Sequence, residues 1–185
     1  MITINKTNVS VLNDGGKKLG HFDTDHMCKM ISVQKNKFNY LKLIKVNATI
    51  TAPLHWWIEY KDFHKNKKYK DDDVLFDYKT YWLMFKEPFK SDMFDVPFKE
   101  AQAFETYIEL LNNARFVAIS HGTENDYKHL VSLLPLGYKV TLNVELNYEN
   151  LYRIYKSFNN TIDENWIEFI NWIDSLPYNY IFTEK

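Results

Sequence analysis

Apolar residues recur along this chain at two different spacings. From Tyr40 to Thr51 the sequence YLKLIKVNATIT sets Leu41, Leu43, Ile44, Val46, Ala48 and Ile50 among polar neighbours at a period close to two. That period predicts a half-buried strand. KVTLNVEL, starting at Lys139, predicts another. A shorter strand, TNVSVLN, is predicted within residues 1–14 and is closed by the turn signal Asp14-Gly15-Gly16.

Elsewhere the spacing is helical. In TAPLHWWIEYKDF, Thr51 is placed to cap a helix and Pro53 to sit in its first turn, where its missing N–H costs nothing. Trp56, Trp57, Tyr60 and Phe63 then repeat at helical spacing, and the helix is expected to end within HKNKKYKDDD, residues 64–73. Residues 96–111 form an amphipathic pattern with Phe98, Ala101, Phe104, Ile108 and Leu111 on one face; Arg115 to Ile119 either continue it or open another helix. Thr123 and Asp126 make a box-like start before Tyr127, Leu130, Val131 and Leu134, and Pro135 is the expected stop. Asn147 is an N-cap candidate ahead of Leu151, Ile154, Tyr155 and Phe158. Thr161 and Glu164 suggest a capping box before Trp166, Ile167, Ile170 and Ile173, with a stop at Pro177. The order strand–helix, helices, strand–helix–helix gives the α+β class. No internal repeat and no break in composition is visible, so residues 1–185 are expected to form a single domain.

Composition narrows the function classes. Apolar residues make up 45% and aromatics 17%, enough for a packed core. A net charge of −1 argues against a general nucleic-acid binder and equally against an acidic mimic of DNA. Cys28 is the single cysteine, so no internal disulfide forms and a reducing compartment fits. With no signal-peptide pattern and no run of membrane-span length, a soluble cytoplasmic protein is expected. Arg115 and Arg153 are the only arginines; the wealth of Lys, Asn, Ile, Tyr and Phe points to an AT-rich genome. The skew matters chemically, because lysine lacks the planar bidentate fork of arginine.

Generic motifs add little. HFDTDH (21–26) gathers His and Asp at no recognised metal spacing and reads as a solvated loop or helix start. Cys28 has no nucleophile signature around it, and His121 and His129 stand at no ligand spacing. Lys65, Lys67, Lys68 and Lys70 suggest a phosphate cluster, but Asp71, Asp72 and Asp73 favour a loop of cancelling charge. Trp56 and Trp57 offer flat faces for a base or flavin, although aromatics at this spacing more often fill a core.

One resemblance stands out. Leu134-Pro135, Thr141, Asn147, Glu149, Leu151 and Phe158 fall without gaps on a turn, strand and helix start that resembles the flavin-dependent thymidylate synthases. Leu, Pro, Asn and Leu match. Where that family has arginines, this chain has Val131, Glu149 and Phe158. VNATITAPLHWWIEYKDFHKNKKYK is similar to the family's second segment in layout, but the arginine-rich signature falls on Ile58, Glu59 and Tyr60, with Phe63, Asn66, Lys68 and Lys70 downstream. TAPLHWW and SLP look closest to a divergent, phage-type branch. The resemblance covers residues 40–73 and 130–177.

The resemblance implies a thymidylate-synthase-complementing-protein-like fold with a central sheet flanked by helices, assembled as a homotetramer with sites between subunits. It implies FAD as cofactor, dUMP as ligand and a folate as carbon donor. Asn147, Glu149 and Tyr60 would lie on the cofactor side and Asn66, Lys68 and Lys70 on the substrate side; no catalytic residue and no metal ligand is assigned. Attack on the uracil ring builds negative charge, and losing one donor aimed at such charge costs about 2.7–4 kcal/mol. The expectation is therefore a protein that keeps the fold, has lost thymidylate synthesis and binds a nucleotide or related small molecule. An active flavoenzyme methylating or hydroxymethylating a pyrimidine nucleotide is the alternative, and a phage-encoded interaction protein is a further one.

Overall fold

The structure, a computed structural model, describes residues 1–12, 17, 18, 20, 40–65, 85–97 and 101–183, with the side chains of His64 and Lys65 left out of the description. The described residues form a mixed α+β protein. Strands β1 (Thr3–Val11), β2 (Ile44–Pro53) and β3 (Lys139–Asn147) make an open sheet in that order. Six α-helices accompany it among the described residues: α1 (Leu54–Lys65), α2 (Gln102–His121), α3 (Glu124–Ser132), α4 (Tyr148–Phe158), α5 (Glu164–Asp174) and α6 (Tyr180–Thr183).

The sheet follows from alternation. Along β2, Ile44, Val46, Ala48, Ile50 and Ala52 are buried while Lys45, Asn47, Thr49 and Thr51 take the other side. β1 runs antiparallel to β2, pairing Val9 with Val46 and Ile4 with Ile50. Thr51 meets Thr141 and Thr49 meets Asn143, each through side-chain oxygens 2.7 Å apart, so β3 is antiparallel to β2 as well. Opposed hydroxyl and amide side chains of this kind support a sheet on its polar face. β1 begins well before the predicted TNVSVLN, and the turn signal at Asp14-Gly15-Gly16 lies outside the described residues.

The chain divides into two compact units: Met1–Thr51 with Thr141–Lys185, and Ala52–Val140. In the first, α4 buries Tyr148, Leu151 and Ile154, α5 buries Trp166, Phe169, Ile170 and Ile173, and α6 buries Ile181 and Phe182. Each such side chain contributes about 1.5–3 kcal/mol. Ile167, one of the apolar residues expected after the capping box, is exposed. The start of α5 also differs from the expected Thr161 box. Asp163 is the N-cap, its carboxylate accepting from the N–H groups of Asn165 and Trp166, whereas Thr161 Oγ1 accepts from Asp163 N. A carboxylate at a helix N-terminus adds a favourable dipole term that a hydroxyl lacks.

The second unit has an aromatic core. Trp56, Trp57 and Tyr60 of α1 are buried with Phe85, Phe89, Phe94, Tyr127 and Tyr138, and Trp57 Nε1 donates to the Val140 carbonyl at 3.1 Å. The paired tryptophans are core residues, and the Trp57 indole N–H has the partner that burial demands. Residues 102–121 are one helix that Gly122 ends in the left-handed conformation at φ 67°. It starts later than predicted: Ala101 is its exposed N-cap and Phe98 lies outside the described residues, while Ile108 and Leu111 are buried as expected. α3 ends at Ser132, before Pro135, with Thr123 as N-cap.

The start of α1 departs furthest from expectation. Thr51 and Pro53 belong to β2, so Thr51 is no cap. The N–H groups of Leu54 and His55 instead donate to the carbonyls of Tyr138 and Leu136 at 2.9 and 3.0 Å. Backbone acceptors from a distant segment satisfy the helix's orphan donors.

Candidate functional site

The strand-to-helix hand-over from β3 to α4 holds the residues that the sequence marks. Asn147 leaves β3 with extended dihedrals and caps α4: its Oδ1 accepts from Asn150 N at 2.9 Å. Asn150 returns the favour, its Oδ1 accepting from Asn147 N at 3.2 Å. Two backbone donors are satisfied reciprocally, so the angle at which α4 leaves the sheet is fixed.

Glu149 follows within the first turn and is 3% exposed. A buried carboxylate needs compensation, and here it comes from two cations. Arg153, one helical turn on, donates to Glu149 Oε1 through Nη2 at 2.5 Å and Nε at 3.2 Å. Lys42, in the turn ahead of β2, brings Nζ to 3.7 Å from Oε2. The spacing of Glu149 and Arg153 on one helix face was open to sequence reasoning. The approach of Lys42, more than a hundred positions earlier in the chain, was not.

At the far end of α4, Phe158 stacks on Trp166 of α5, with ring centroids 3.9 Å apart and planes 6° from parallel. Phe158 is half-buried and Trp166 is fully buried. The contact closes the α4–α5 turn around a pair of flat rings. Val131, on α3, is half-buried and belongs to the other compact unit.

No protein-family model matches this chain, and no curated protein matches it in sequence. The geometry therefore carries the functional argument.

The remaining predicted positions fall as follows. Tyr60 belongs to the Ala52–Val140 unit, where its ring stacks on Trp56 at 5.2 Å and meets Trp57 edge-on at 5.6 Å. Asn147 and Glu149 belong to the other unit and share one helical turn. Asn66, Lys68 and Lys70 lie outside the described residues, as do HFDTDH, Cys28 and the run of aspartates at 71–73. Among the described residues no group of three or more His, Cys, Asp or Glu side chains is placed to hold a metal ion, and no helix is long and apolar enough to cross a membrane.

The chain's second guanidinium has a comparable fate. Arg115, on α2, donates from Nε to the Phe85 carbonyl at 2.7 Å and from Nη2 to the Lys86 carbonyl at 2.5 Å. It pins the 85–86 backbone to α2, beside Asn112, whose amide forms two hydrogen bonds with the backbone of Phe89. Both arginines of the chain are thus committed to holding the fold together.

Proposed function

We propose that this chain is a catalytically silent protein of the flavin-dependent thymidylate synthase type. It retains a nucleotide-binding frame and acts by binding a nucleotide or related small molecule without making thymidylate. The observation that carries this reading is the commitment of both guanidinium groups within the fold, one to the buried carboxylate of Glu149 and one to the carbonyls of Phe85 and Lys86. Phosphate and pyrophosphate recognition in such enzymes relies on bidentate, charge-assisted donors, and lysine substitutes for them only as a point charge. Phe158 stands where the resemblance expects the group that activates the uracil ring. An apolar ring stacked on Trp166 supplies no donor for the charge that builds there. In this reading Glu149 and Phe158, two of the residues exchanged for arginine, have become ion-pair and packing elements of α4, which accounts for a strand-to-helix frame that outlives the chemistry. Assembly as a homotetramer belongs to the same proposal.

The test uses the purified full-length chain. The expected result is no flavin absorbance in the protein as isolated and no dTMP from dUMP with FAD, a reduced nicotinamide and methylene-tetrahydrofolate. A rise in melting temperature with dUMP or dTMP is expected alongside. Stoichiometric FAD, or any turnover of dUMP, overturns the silent reading; absence of a thermal shift with either nucleotide overturns the binding half. Light scattering that gives a monomer removes the tetramer.

A further inference from the structure

We propose a second binding site, on the polar face of the sheet, for a small polyhydroxylated anion of the sugar-phosphate class. It shares no residue with the strand-to-helix hand-over. A cleft of about 310 Å³ lies over β1, β2 and β3, lined by Lys6, Asn47, Thr49, Asn143 and Glu145, with Ala48 and Val144 as its apolar contribution. That volume is at the small end of ligand pockets, about 300–1,000 Å³.

The cleft is built around a strained residue. Between the pairs Asn5–Thr49 and Asn8–Asn47, two residues of β1, Lys6 and Thr7, oppose the single Ala48, which makes a bulge. Lys6 sits in it at φ 51°, a conformation unfavourable for any residue with a Cβ. Such strain persists where neighbours impose it, and one does: Trp172 Nε1, on α5, donates to Thr7 Oγ1 at 3.0 Å and ties down the second bulge residue. Bulges re-aim side chains, and this one brings a lysine to the cleft.

The charges specify the ligand's sign. Glu145 is paired with Lys45 at 3.2 Å. Lys6 forms no ion pair among the described residues and supplies the positive charge of the cleft. The polar lining specifies the ligand's body. Asn143 Oδ1 already accepts from Thr49 Oγ1, which leaves its NH₂ donors to the cleft, and Asn47 offers both a donor and an acceptor. Hydroxyl groups, which donate and accept, match this lining. A nucleobase calls for an aromatic platform, and no ring lines the cleft among the described residues. A monosaccharide carrying one phosphate meets both requirements, with phosphate on Lys6 and hydroxyls on Asn47, Asn143 and Glu145.

The test is an amide-resolved NMR titration of the full chain with glucose 6-phosphate, glucose, inorganic phosphate and AMP. Glucose 6-phosphate is expected to shift the amides of residues 5–8, 47–49 and 143–145 saturably, with glucose and inorganic phosphate each weaker by about tenfold. Lys6→Gly removes the charge and relieves the backbone strain, so the chain stays folded; it is expected to weaken glucose 6-phosphate about tenfold. Asn143→Asp, nearly equal in size, keeps the bond from Thr49 and is expected to weaken binding by repulsion. Absence of shifts at these amides overturns the proposal. So does equal or tighter binding of inorganic phosphate or AMP there, or an affinity unchanged in both variants.

Discussion

The ring of Phe158 lies face to face with that of Trp166 at 3.9 Å, a contact that ties the end of α4 to the start of α5. Truncating it exposes the buried indole and leaves a flat void. Phe158→Ala is expected to lower stability by about 2–3 kcal/mol, less than for a fully buried phenylalanine because Phe158 is half-buried. Phe158→Leu should lose less. Urea denaturation followed by tryptophan fluorescence measures both, and an alanine variant as stable as the parent would remove the contact from the list of stabilising interactions.

Glu149 makes a different prediction, in which the partners are unequal. Arg153 binds its carboxylate at 2.5 Å and Lys42 approaches to 3.7 Å. Lys42 is 40% and Arg153 35% exposed, so solvent screening reduces their worth relative to a fully buried pair. Arg153→Met is expected to cost about 1–3 kcal/mol and Lys42→Met less than 1. The double variant Glu149→Gln/Arg153→Met should recover part of the arginine's loss, because no buried charge is then stranded. Glu149→Arg should unfold the chain by setting three cations together. A folded, stable Glu149→Arg protein contradicts the ion-pair account.

Gly137 tolerates no side chain. A Cβ built there would stand 2.3 Å from the Asp95 carbonyl oxygen and 2.6 Å from Val96 Cγ1. The first of these is backbone, held in place by a 2.7 Å bond from Asp95 N to the Gly137 carbonyl. Gly137→Ala is therefore expected to cost about 3 kcal/mol or more, at the upper end of overpacking penalties. A melting temperature within a few degrees of the parent's would show that the 95–96 segment gives way freely.

A pH dependence follows from Asp126. The Thr123 hydroxyl donates to its carboxylate at 2.5 Å, and His121 Nδ1 lies 3.4 Å away. The hydroxyl's hydrogen bond, then the bond and charge of His121 and the charge of His129, outweigh desolvation and hold the Asp126 pKa below its ordinary 3.8. A folded-state pKa below the unfolded one means stability that is present above about pH 4 and lost as pH falls through the folded value. Thr123→Ala should raise the Asp126 midpoint seen by NMR and flatten the acid limb of the stability curve. An unchanged midpoint in that variant would assign the shift to His121 and His129 instead.

What the sequence made legible was the part written in local spacing. β2 and β3 alternate, α4 and α5 carry apolar stripes, and Asn147 and Thr123 cap the helices they were expected to cap. Local spacing misled where two residues competed for one role, as Thr161 and Asp163 do before α5, because proximity to the free N–H groups decides and a capping-box template does not encode it. It gave nothing where partners are remote. The donors of α1 are satisfied by Leu136 and Tyr138, and the second cation on Glu149 is Lys42. The four-residue α6 escaped because a single turn after Pro177 has no period to read; its N–H groups use the carbonyls of Tyr178 and Asn179.

The hydroxyl pair of Thr51 and Thr141 marks the place where the chain leaves one compact unit and comes back to it. Everything between Pro53 and Lys139 is, for the sheet, the loop of a hairpin. A hairpin needs only a few residues to turn, and lengthening a loop costs little once its ends are paired, because closure entropy grows only with the logarithm of length. The long excursion is an insertion in the topological sense. Its length is therefore weakly constrained by the pairing of β2 with β3, which two neighbouring threonines close.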